Sequence, residues 1–257
     1  MQKELVSIIT PTYNSVQFIA DTIKSIQAQT YTNWELLITD DCSTDDTVAI
    51  VEEYMQKDNR ITLFRFKENM GSGVARNNSI KEARGRYIAL CDSDDRWYPE
   101  KLEKQLALMR DKDCAFCYSS YMTCNEEGTI NGIIVCRNNE NFATIKRDCK
   151  IGCLTAIYDT AKVGKLYMPH MRKRQDWGLM IKVMQKCEIA YGIKEPLAIY
   201  RKHSRSISAD KKSLIKYNIS LYHEILGWSN LRSSLYFGLV FMPTYIYKKL
   251  LIKLYNY

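Results

Sequence analysis

The stretch Gly85-Arg86-Tyr87-Ile88-Ala89-Leu90-Cys91-Asp92-Ser93-Asp94-Asp95-Arg96-Trp97 is the point from which the rest of the chain can be interpreted. Its first part, from Tyr87 to Cys91, is a short and mostly apolar run that is typical of a strand buried on both faces of a sheet. The run ends in three carboxylates. Because such a cluster is too costly to bury without partners, we expect it where the strand leaves the core.

The spacing of these carboxylates suggests a ligand site. Asp92 and Asp94 are two positions apart, so in an extended chain they point the same way and could share a divalent ion or a nucleotide. In open α/β sheets, ligands bind at the carboxyl ends of the strands. The alternative is a polar turn in which Asp95 caps the next helix.

The first hundred residues alternate strand and helix patterns. We expect strands at 5–10, 34–39, 61–66 and 87–91, with helices between them. Asn14 or Ser15 is expected to cap the first helix, and residues 43–46 are expected to cap the second. This order predicts an α/β fold, with a Rossmann-like, mostly parallel central sheet and helices on both faces.

Right-handed crossovers place the carboxyl ends of parallel strands at one edge of a sheet. Tyr13, Asp41 and Asp94 should therefore converge there, which suggests a nucleotide site. Gly71-x-Gly73 lacks the third glycine of the dinucleotide motif and does not follow the first strand, so an NAD enzyme is disfavoured.

The second half of the chain shows a different sequence pattern from the first. Residues 114–136 suggest two or three antiparallel strands with a turn at Glu127-Gly128, whereas 142–165 give no clear assignment. A helix is expected to open at 172–177, with Asp176 in its first turn, where the helix dipole favours a carboxylate. A last strand at 197–200 leads into the polar loop 201–205.

The distribution of charge and the number of cysteines indicate where the chain is basic and which cellular compartment to expect. The net charge of the 257 residues is +8, and residues 201–257 carry ten Lys or Arg against two acidic residues, so the basicity belongs to the tail. Nine scattered cysteines indicate a reducing cytosol, and Cys114-x-x-Cys117 lacks a histidine beside it, which disfavours zinc. The N-terminus runs straight into a strand, so we expect no signal peptide.

The tail itself suggests a membrane surface. The apolar stretch 235–247 is shorter than the roughly 20 residues that span a bilayer. Its aromatic residues beside Lys248, Lys249 and Lys253 suit a segment that lies in the headgroup region of an anionic membrane. The alternative is a C-terminal helix packed on the body of the protein or on a partner subunit.

Taken together, residues 5–205 resemble the family-2 glycosyltransferases, inverting enzymes with the nucleotide-sugar-binding fold called type A. Five segments in order carry the resemblance: Ser7–Asn14, Asp40–Asp45, Asn69–Asn77, Asp92–Asp95 and Gln175–Trp177. The resemblance implies a nucleotide-sugar-binding half at 1–99 and an acceptor-binding half of the same domain at 100–209. Beyond it, the residues themselves predict a helical, basic and aromatic C-terminal segment at 210–257 that associates with a membrane.

The resemblance also implies roles for donor-binding residues. Pro11 and Tyr13 would line the base pocket, where the Tyr13 ring could stack on a uracil unless it is a core aromatic. Asp41 would accept a hydrogen bond from the base N3–H, unless it only caps a helix or turn. Arg76 would sit near the diphosphate or hold the acidic loop, or else be a solvated surface residue. Asp92 would face the ribose.

The metal and the general base follow from the same resemblance. Asp94 would bind Mn2+ or Mg2+, which neutralises charge on the leaving nucleoside diphosphate. His203 could be a metal ligand or a phosphate donor, or an exposed loop histidine. Asp176 would take the proton of the acceptor hydroxyl, or be only an N-terminal helix residue. The family usually has Glu-Asp where this chain has Gln175-Asp176, which puts any metal or acceptor contact of the first residue in doubt.

These features predict a metal-dependent, inverting glycosyltransferase that moves one sugar from a nucleotide-sugar, expected to be a UDP-sugar, to a hydroxyl of a glycan. The tail suggests an acceptor on a lipid diphosphate in bacterial surface polysaccharide biosynthesis. We expect a cytoplasmic protein, peripheral on the inner face of the cell membrane, without a nucleic-acid partner. The alternatives are a non-catalytic membrane-associated scaffold and a sugar nucleotidyltransferase. The nucleotidyltransferase would be expected to have a glycine-rich phosphate loop after the first strand, and Pro11–Asn14 is not such a loop.

Overall fold

The computed structural model of the protein describes residues 4–203 and 214–247, which form a ten-stranded mixed sheet with helices on both faces. The strands are β1 Val6–Thr12, β2 Trp34–Asp40, β3 Ile61–Arg65, β4 Tyr87–Leu90, β5 Arg96–Trp97, β6 Phe116–Cys124, β7 Ile130–Ile134, β8 Asn139–Asn141, β9 Ile157–Asp159 and β10 Ile189–Arg201. The α-helices are α1 Ile19–Gln27, α2 Thr47–Lys57, α3 Ser72–Glu82, α4 Lys101–Asp111, α5 Phe142–Arg147, α6 Thr160–Val163, α7 Gln175–Met184, α8 Leu214–Leu226 and α9 Asn230–Tyr236. A 3-10 turn covers Cys153–Thr155, and a π-helical segment covers Phe237–Phe241.

The predicted parallel sheet is present in the first half of the chain. Its strands lie in the order β3-β2-β1-β4, and each pair of neighbours is parallel. Side chains alternate between the two faces: Ile8 and Ile38 pack towards α1, α2 and α4, whereas Ile9 and Leu37 pack towards α3, α7 and α8. The sheet is therefore buried on both faces, which explains the apolar runs of the sequence.

Two local expectations near the first strand are wrong. β1 continues through Pro11 and Thr12 in register with Thr39 and Asp40 of β2, so the proline does not end it. Neither Asn14 nor Ser15 caps α1 with its side chain, since the N-cap residue is Phe18 and it has no side-chain cap. The reason is tertiary. Asn14 Oδ1 instead accepts a hydrogen bond from Thr44 N, 30 residues away.

The second half completes the sheet with strands of both directions. β9 lies antiparallel between β4 and β6, inside the region 142–165 whose pattern gave no clear assignment. The predicted antiparallel pair within 114–136 is confirmed as β6 and β7. β10 is much longer than the predicted 197–200, because its pairing with β6 accommodates register shifts on both sides of Pro196.

The C-terminal helices pack on the body of the protein. Tyr222 of α8 is fully buried and meets the Trp177 ring of α7 edge-on, with 6.2 Å between the ring centroids. Phe237 and Phe241 are buried in the same cluster. Among the described residues, no helix is long and apolar enough to cross a membrane. Lys248, Lys249 and Lys253, on which the membrane prediction partly rests, lie outside the described residues, as do residues 204–213.

Candidate functional site

The loops that follow β1, β2 and β4 meet at one edge of the sheet. Asp41 N donates to Thr12 O at 2.8 Å, which joins the ends of β2 and β1. Ser15 Oγ lies 2.8 Å from Ser93 Oγ, which joins the loop after β1 to the acidic loop after β4. The convergence of these strand ends, expected from parallel topology, is thus built by direct hydrogen bonds.

Asp41 is buried, and both of its carboxylate oxygens accept backbone hydrogen bonds. Oδ1 accepts from Met70 N at 2.7 Å, and Oδ2 accepts from Gly71 N at 2.8 Å. Burial raises the pKa of Asp41, and these two N–H groups oppose the rise. Gly71 has φ +93, a left-handed conformation that favours glycine. Asp41 therefore fixes the loop that leads into α3.

The other predicted residues of the base pocket differ in exposure. Pro11 is buried within β1, whereas the side chain of Tyr13 is 48% exposed, so Tyr13 is not a core aromatic. The neighbouring Asp40 accepts hydrogen bonds from the backbone N and the hydroxyl of Ser43. Asp40 thus stabilises the turn that follows β2. The exposed Tyr13 ring is not part of the core.

Arg76 and Asp92 form an ion pair at the centre of the site, in which Arg76 is buried and the side chain of Asp92 is 29% exposed. Arg76 Nη2 lies 2.6 Å from Asp92 Oδ1, and Arg76 is 7% exposed, so it is not a solvated surface residue. Burial raises the pKa of Asp92; Arg76 opposes the rise, while Asp94 and Asp176 add to it. Burial opposes the charge of Arg76, but Asp92, Cys153 and Asp176 together raise the pKa of Arg76. Arg76 therefore holds the acidic loop.

Asp94 is paired with His203. His203 Nε2 lies 2.8 Å from Asp94 Oδ2, and the His203 side chain is only 12% exposed, so it is not an exposed loop histidine. The hydrogen bond to Asp94 raises the pKa of His203. The preceding Arg201 also holds this loop, because its Nε donates to Asp94 O and its backbone N donates to Asp95 Oδ1. Asp95 is buried and anchors the end of β10 instead of capping a helix, since the N-cap residue of α4 is Glu100.

The donor atoms of Asp94 and His203 fit a divalent metal as two of its ligands. A carboxylate and an imidazole suit Mn2+, and 2.8 Å is close to the separation of about 3 Å between adjacent ligands of an octahedral ion. Within 4–203 and 214–247, no group of three or more His, Cys, Asp or Glu side chains could hold a metal ion. The remaining ligands would have to come from substrate phosphates and water.

Asp176 is half-buried in the first turn of α7, next to Gln175. Its negative charge acts on both members of the Arg76–Asp92 pair, so Asp176 lies near that pair. Gln175 is buried and accepts a hydrogen bond from Arg76 Nη1 at 3.1 Å. The position that lacks the usual glutamate thus contacts the central arginine.

Two features of the site were missed from the sequence. Arg201 was assigned only to a polar loop, although its guanidinium joins the acidic loop, the carbonyl of Glu126 and the carboxylate of Asp21. Cys153 lies near the Arg76–Asp92 pair, where burial raises the pKa of its thiol. The basic run after β10 was a usable signal for the first, whereas no local pattern marks the second.

Sequence comparison matches residues 7–163 to the family described as glycosyl transferase family 2. A Bacillus subtilis protein, provisionally named teichuronic acid biosynthesis glycosyltransferase TuaG, is 40% identical over 224 residues, which cover 87% of this chain and 89% of TuaG. The Escherichia coli UDP-Glc:alpha-D-GlcNAc-diphosphoundecaprenol beta-1,3-glucosyltransferase WfgD is 36% identical over 217 residues, which cover 84% of each chain.

Solved structures share the fold at lower identity. S. aureus TarS 1–349 in complex with UDP-GlcNAc superposes with a TM-score of 0.72 at 21% identity, over 92% of this chain and 73% of that one. The Pyrobaculum calidifontis mannosyltransferase PcManGT, in complex with GDP-Man and Mn2+, gives a TM-score of 0.66 at 18% identity, over 93% and 71%. These similarities establish the type A fold predicted from the sequence.

Proposed function

The chain belongs to glycosyl transferase family 2, and we propose that it is a metal-dependent, inverting enzyme that moves a sugar from UDP to a hydroxyl of a lipid-linked glycan. Its relatives over most of its length are named as glycosyltransferases, and the chain is a glycosyltransferase. The proposal adds the donor, the metal, the stereochemical course and the acceptor.

One observation carries the proposal. The negative charges of Asp94 and Asp176 both act on Asp92, which is ion-paired to the buried Arg76. Two carboxylates from distant parts of the chain, Asp92 and Asp176, thus act on one arginine at the carboxyl edge of a parallel sheet. Binding a diphosphate and removing a proton from an alcohol are the two tasks for which such a cleft is suited.

The donor is proposed to be a UDP-sugar. WfgD is named for UDP-Glc, and TarS was crystallised with UDP-GlcNAc. Pro11 and the exposed Tyr13 ring would bind the uracil, and Asp41 would accept its N3–H through the lone pairs that Met70 and Gly71 leave free. Asp92 would hold the ribose.

Asp94 and His203 would hold Mn2+ or Mg2+ together with the two phosphates of the donor. When bound, the ion neutralises the negative charge that develops on the departing UDP. Arg76 would add a fixed positive charge beside the diphosphate while keeping Asp92 in place. The 2.8 Å separation of the Asp94 and His203 donor atoms supports this assignment.

Asp176 would act as the general base. Inversion requires the acceptor oxygen to attack the anomeric carbon on the side opposite to the departing diphosphate, while a carboxylate receives its proton. Asp176 comes from α7, whereas Asp94 comes from the loop after β4, so the two carboxylates enter the cleft from different elements.

The acceptor is proposed to be a glycan on a lipid diphosphate, as the name of WfgD states for that protein. A surface of the C-terminal helices supports membrane contact. Leu231, Leu235 and Leu239, here called the leucine row, recur every four residues and are 72%, 52% and 73% exposed. Together with the basic tail, this row would place the enzyme on the cytoplasmic face of the membrane, where surface polysaccharide precursors are built.

The alternative functions gain no support. The matched family describes glycosyl transfer, which disfavours a sugar nucleotidyltransferase. A non-catalytic scaffold would need neither the Asp94–His203 pair nor the charge of Asp176 near Arg76.

Calorimetric titration of UDP, with and without Mn2+, tests the donor and the metal directly. GDP serves as the control nucleotide, Asp94→Asn as the test variant, and Asp111→Asn, an exposed change on α4, as the matched control. We expect UDP binding that requires Mn2+, is lost in Asp94→Asn and is kept in Asp111→Asn. Binding of neither nucleotide by the folded protein would overturn the proposal, and preferential binding of GDP would overturn the donor assignment.

A further inference from the structure

Gln175 connects the two helices that flank the cleft. Its Oε1 accepts from Arg76 Nη1 at 3.1 Å and lies 3.4 Å from Ser72 Oγ, both on α3. Its Nε2 donates to Arg172 O at 2.9 Å, in the turn that leads into α7. We propose that Gln175 is a positioning residue that fixes Asp176 relative to the Arg76–Asp92 pair. This inference rests on the proposed role of Asp176 as the base.

The start of α7 needs such a contact. Arg174, the N-cap residue, has φ +67 and makes no side-chain cap to the helix. A non-glycine residue in this left-handed conformation must be held there by its surroundings. Because Asp176 follows Gln175 directly, the same contacts that hold the Gln175 side chain also set the position of the Asp176 backbone.

A neutral side chain at this position preserves the central ion pair. The carboxamide uses Arg76 Nη1 and leaves Arg76 Nη2 bonded to Asp92. Its N–H also satisfies the Arg172 carbonyl, which a carboxylate could not do. A glutamate would compete with Asp92 for the arginine and would add a negative charge next to Asp176.

Gly73 of α3 provides the space for the carboxamide. A Cβ added at Gly73 would lie 2.8 Å from Gln175 Oε1 and 2.9 Å from its Cδ. A methyl group there must displace the end of the Gln175 side chain, because carbon–carbon contacts are normally at 3.5 Å or more. Gly73→Ala is therefore a way to move the carboxamide without changing Gln175 itself.

Steady-state kinetics of Gln175→Ala, Gly73→Ala and the double variant test the proposal. Misplacement of a catalytic group costs rate more than binding, so we expect kcat to fall about tenfold to a hundredfold in each single variant, with donor KM changed less than about twofold. In the double variant the alanine methyl at position 73 fills space that Gln175 has left. Its kcat should therefore equal that of Gln175→Ala rather than fall further.

Gln175→Glu gives a second readout that a merely structural residue would not move. The added carboxylate places a like charge beside the proposed base, so the acidic limb of the kcat–pH profile should shift to higher pH. Unchanged kcat in Gln175→Ala, or multiplicative losses in the double variant, would overturn the inference. Asp176→Asn is assayed in parallel: if it keeps full turnover, the base assignment fails, whereas if it is inactive and Gln175→Ala is not impaired, only the role of Gln175 fails.

Discussion

His203 Nε2 lies 2.8 Å from Asp94 Oδ2, although the two residues are 109 positions apart in the chain. The contact brings the segment after β10 onto the loop after β4, so the acidic loop is closed by a residue from the second half of the chain. If both side chains bind the metal, neither half can hold it alone.

We expect His203→Ala to weaken the binding of Mn2+ that supports UDP binding. Removal of one metal ligand should raise the Mn2+ concentration needed for half-maximal UDP binding about tenfold or more. The measurement is a titration of Mn2+ at fixed UDP. His170→Ala, at an exposed position outside the cleft, is the matched control and should leave the midpoint unchanged. Equal midpoints for His203→Ala and the parent protein would remove His203 from the metal site.

Asp176→Asn should lose turnover and keep nucleotide binding. Loss of a general base lowers kcat by about 10²–10⁴-fold, whereas UDP affinity should stay within about twofold. As a first-turn helix residue, Asp176 also interacts with the helix dipole, so a stability loss of about 0.3–1 kcal/mol is expected. Kinetics and thermal unfolding of the same sample separate these effects. A stability loss with normal kcat would show that Asp176 acts only in the helix.

The leucine row should carry membrane binding. Replacing Leu231, Leu235 and Leu239 with glutamine should reduce sedimentation with anionic liposomes, while leaving the buried Phe237 and Phe241 in place. This triple substitution is a more specific test than deletion of residues 230–257, because the deletion would also remove both phenylalanines from the core. The matched control replaces the exposed Ile130, Ile133 and Ile134 of β7 with glutamine. Equal loss in both triple variants would mean that general surface apolarity, and not this row, holds the protein.

Lys101 should make stability depend on pH. Its side chain is fully buried, with Nζ 2.6 Å from Gln105 Oε1 and 3.9 Å from the centroid of the Trp97 ring. Burial lowers the pKa of Lys101 from 10.5 to about 7. Between these values the unfolded chain binds more protons than the folded one, so the free energy of unfolding rises with pH, by up to about 1.4 kcal/mol per pH unit.

Urea unfolding of Lys101→Met between pH 7 and pH 9.5 checks this dependence. The variant should gain stability relative to the parent protein at pH 7 and lose that gain as the pH rises, because methionine has no proton to release. Lys104→Met is the matched control, since Lys104 is exposed and paired with Glu195. A stability difference that stays constant across the pH range would show that Lys101 is charged in the folded protein.

Much of the fold could be predicted because its signals are local. The apolar runs of β1, β2 and β4 and the helical spacing between them follow from burial on both faces of a parallel sheet. β10 was predicted too short because Gly192 and Pro196 interrupt the apolar pattern. The strand nevertheless stays paired with β6 and so remains in the sheet. β9 is only three residues long, and its place between β4 and β6 is decided by partners that no local pattern encodes.

The site shows the same division. The strand pattern predicted that Asp92 and Asp94 lie at the carboxyl edge of the sheet, and the family resemblance suggested the roles proposed for them and for Asp176. The partners that hold them were not, since Arg76–Gln175 and Asp94–His203 join positions about a hundred residues apart. The Asp41 carboxylate was expected to be free to bind a ligand, but two backbone N–H groups already donate hydrogen bonds to it. Such contacts depend only on the position of a loop in the folded protein.

The position of β9 limits how such enzymes can exchange specificity by recombination. β9 belongs to the second half of the chain but pairs with β4 of the first through backbone hydrogen bonds, which tolerate changes of side chain. Some side-chain pairs also cross residue 99: Arg76–Gln175, Arg86–Asp159 and Asp94–His203. A chimera that joins the first half of this chain to the second half of a relative should fold when these pairs are kept. If the second half binds the acceptor, as the resemblance implies, the acceptor preference would then follow the grafted segment.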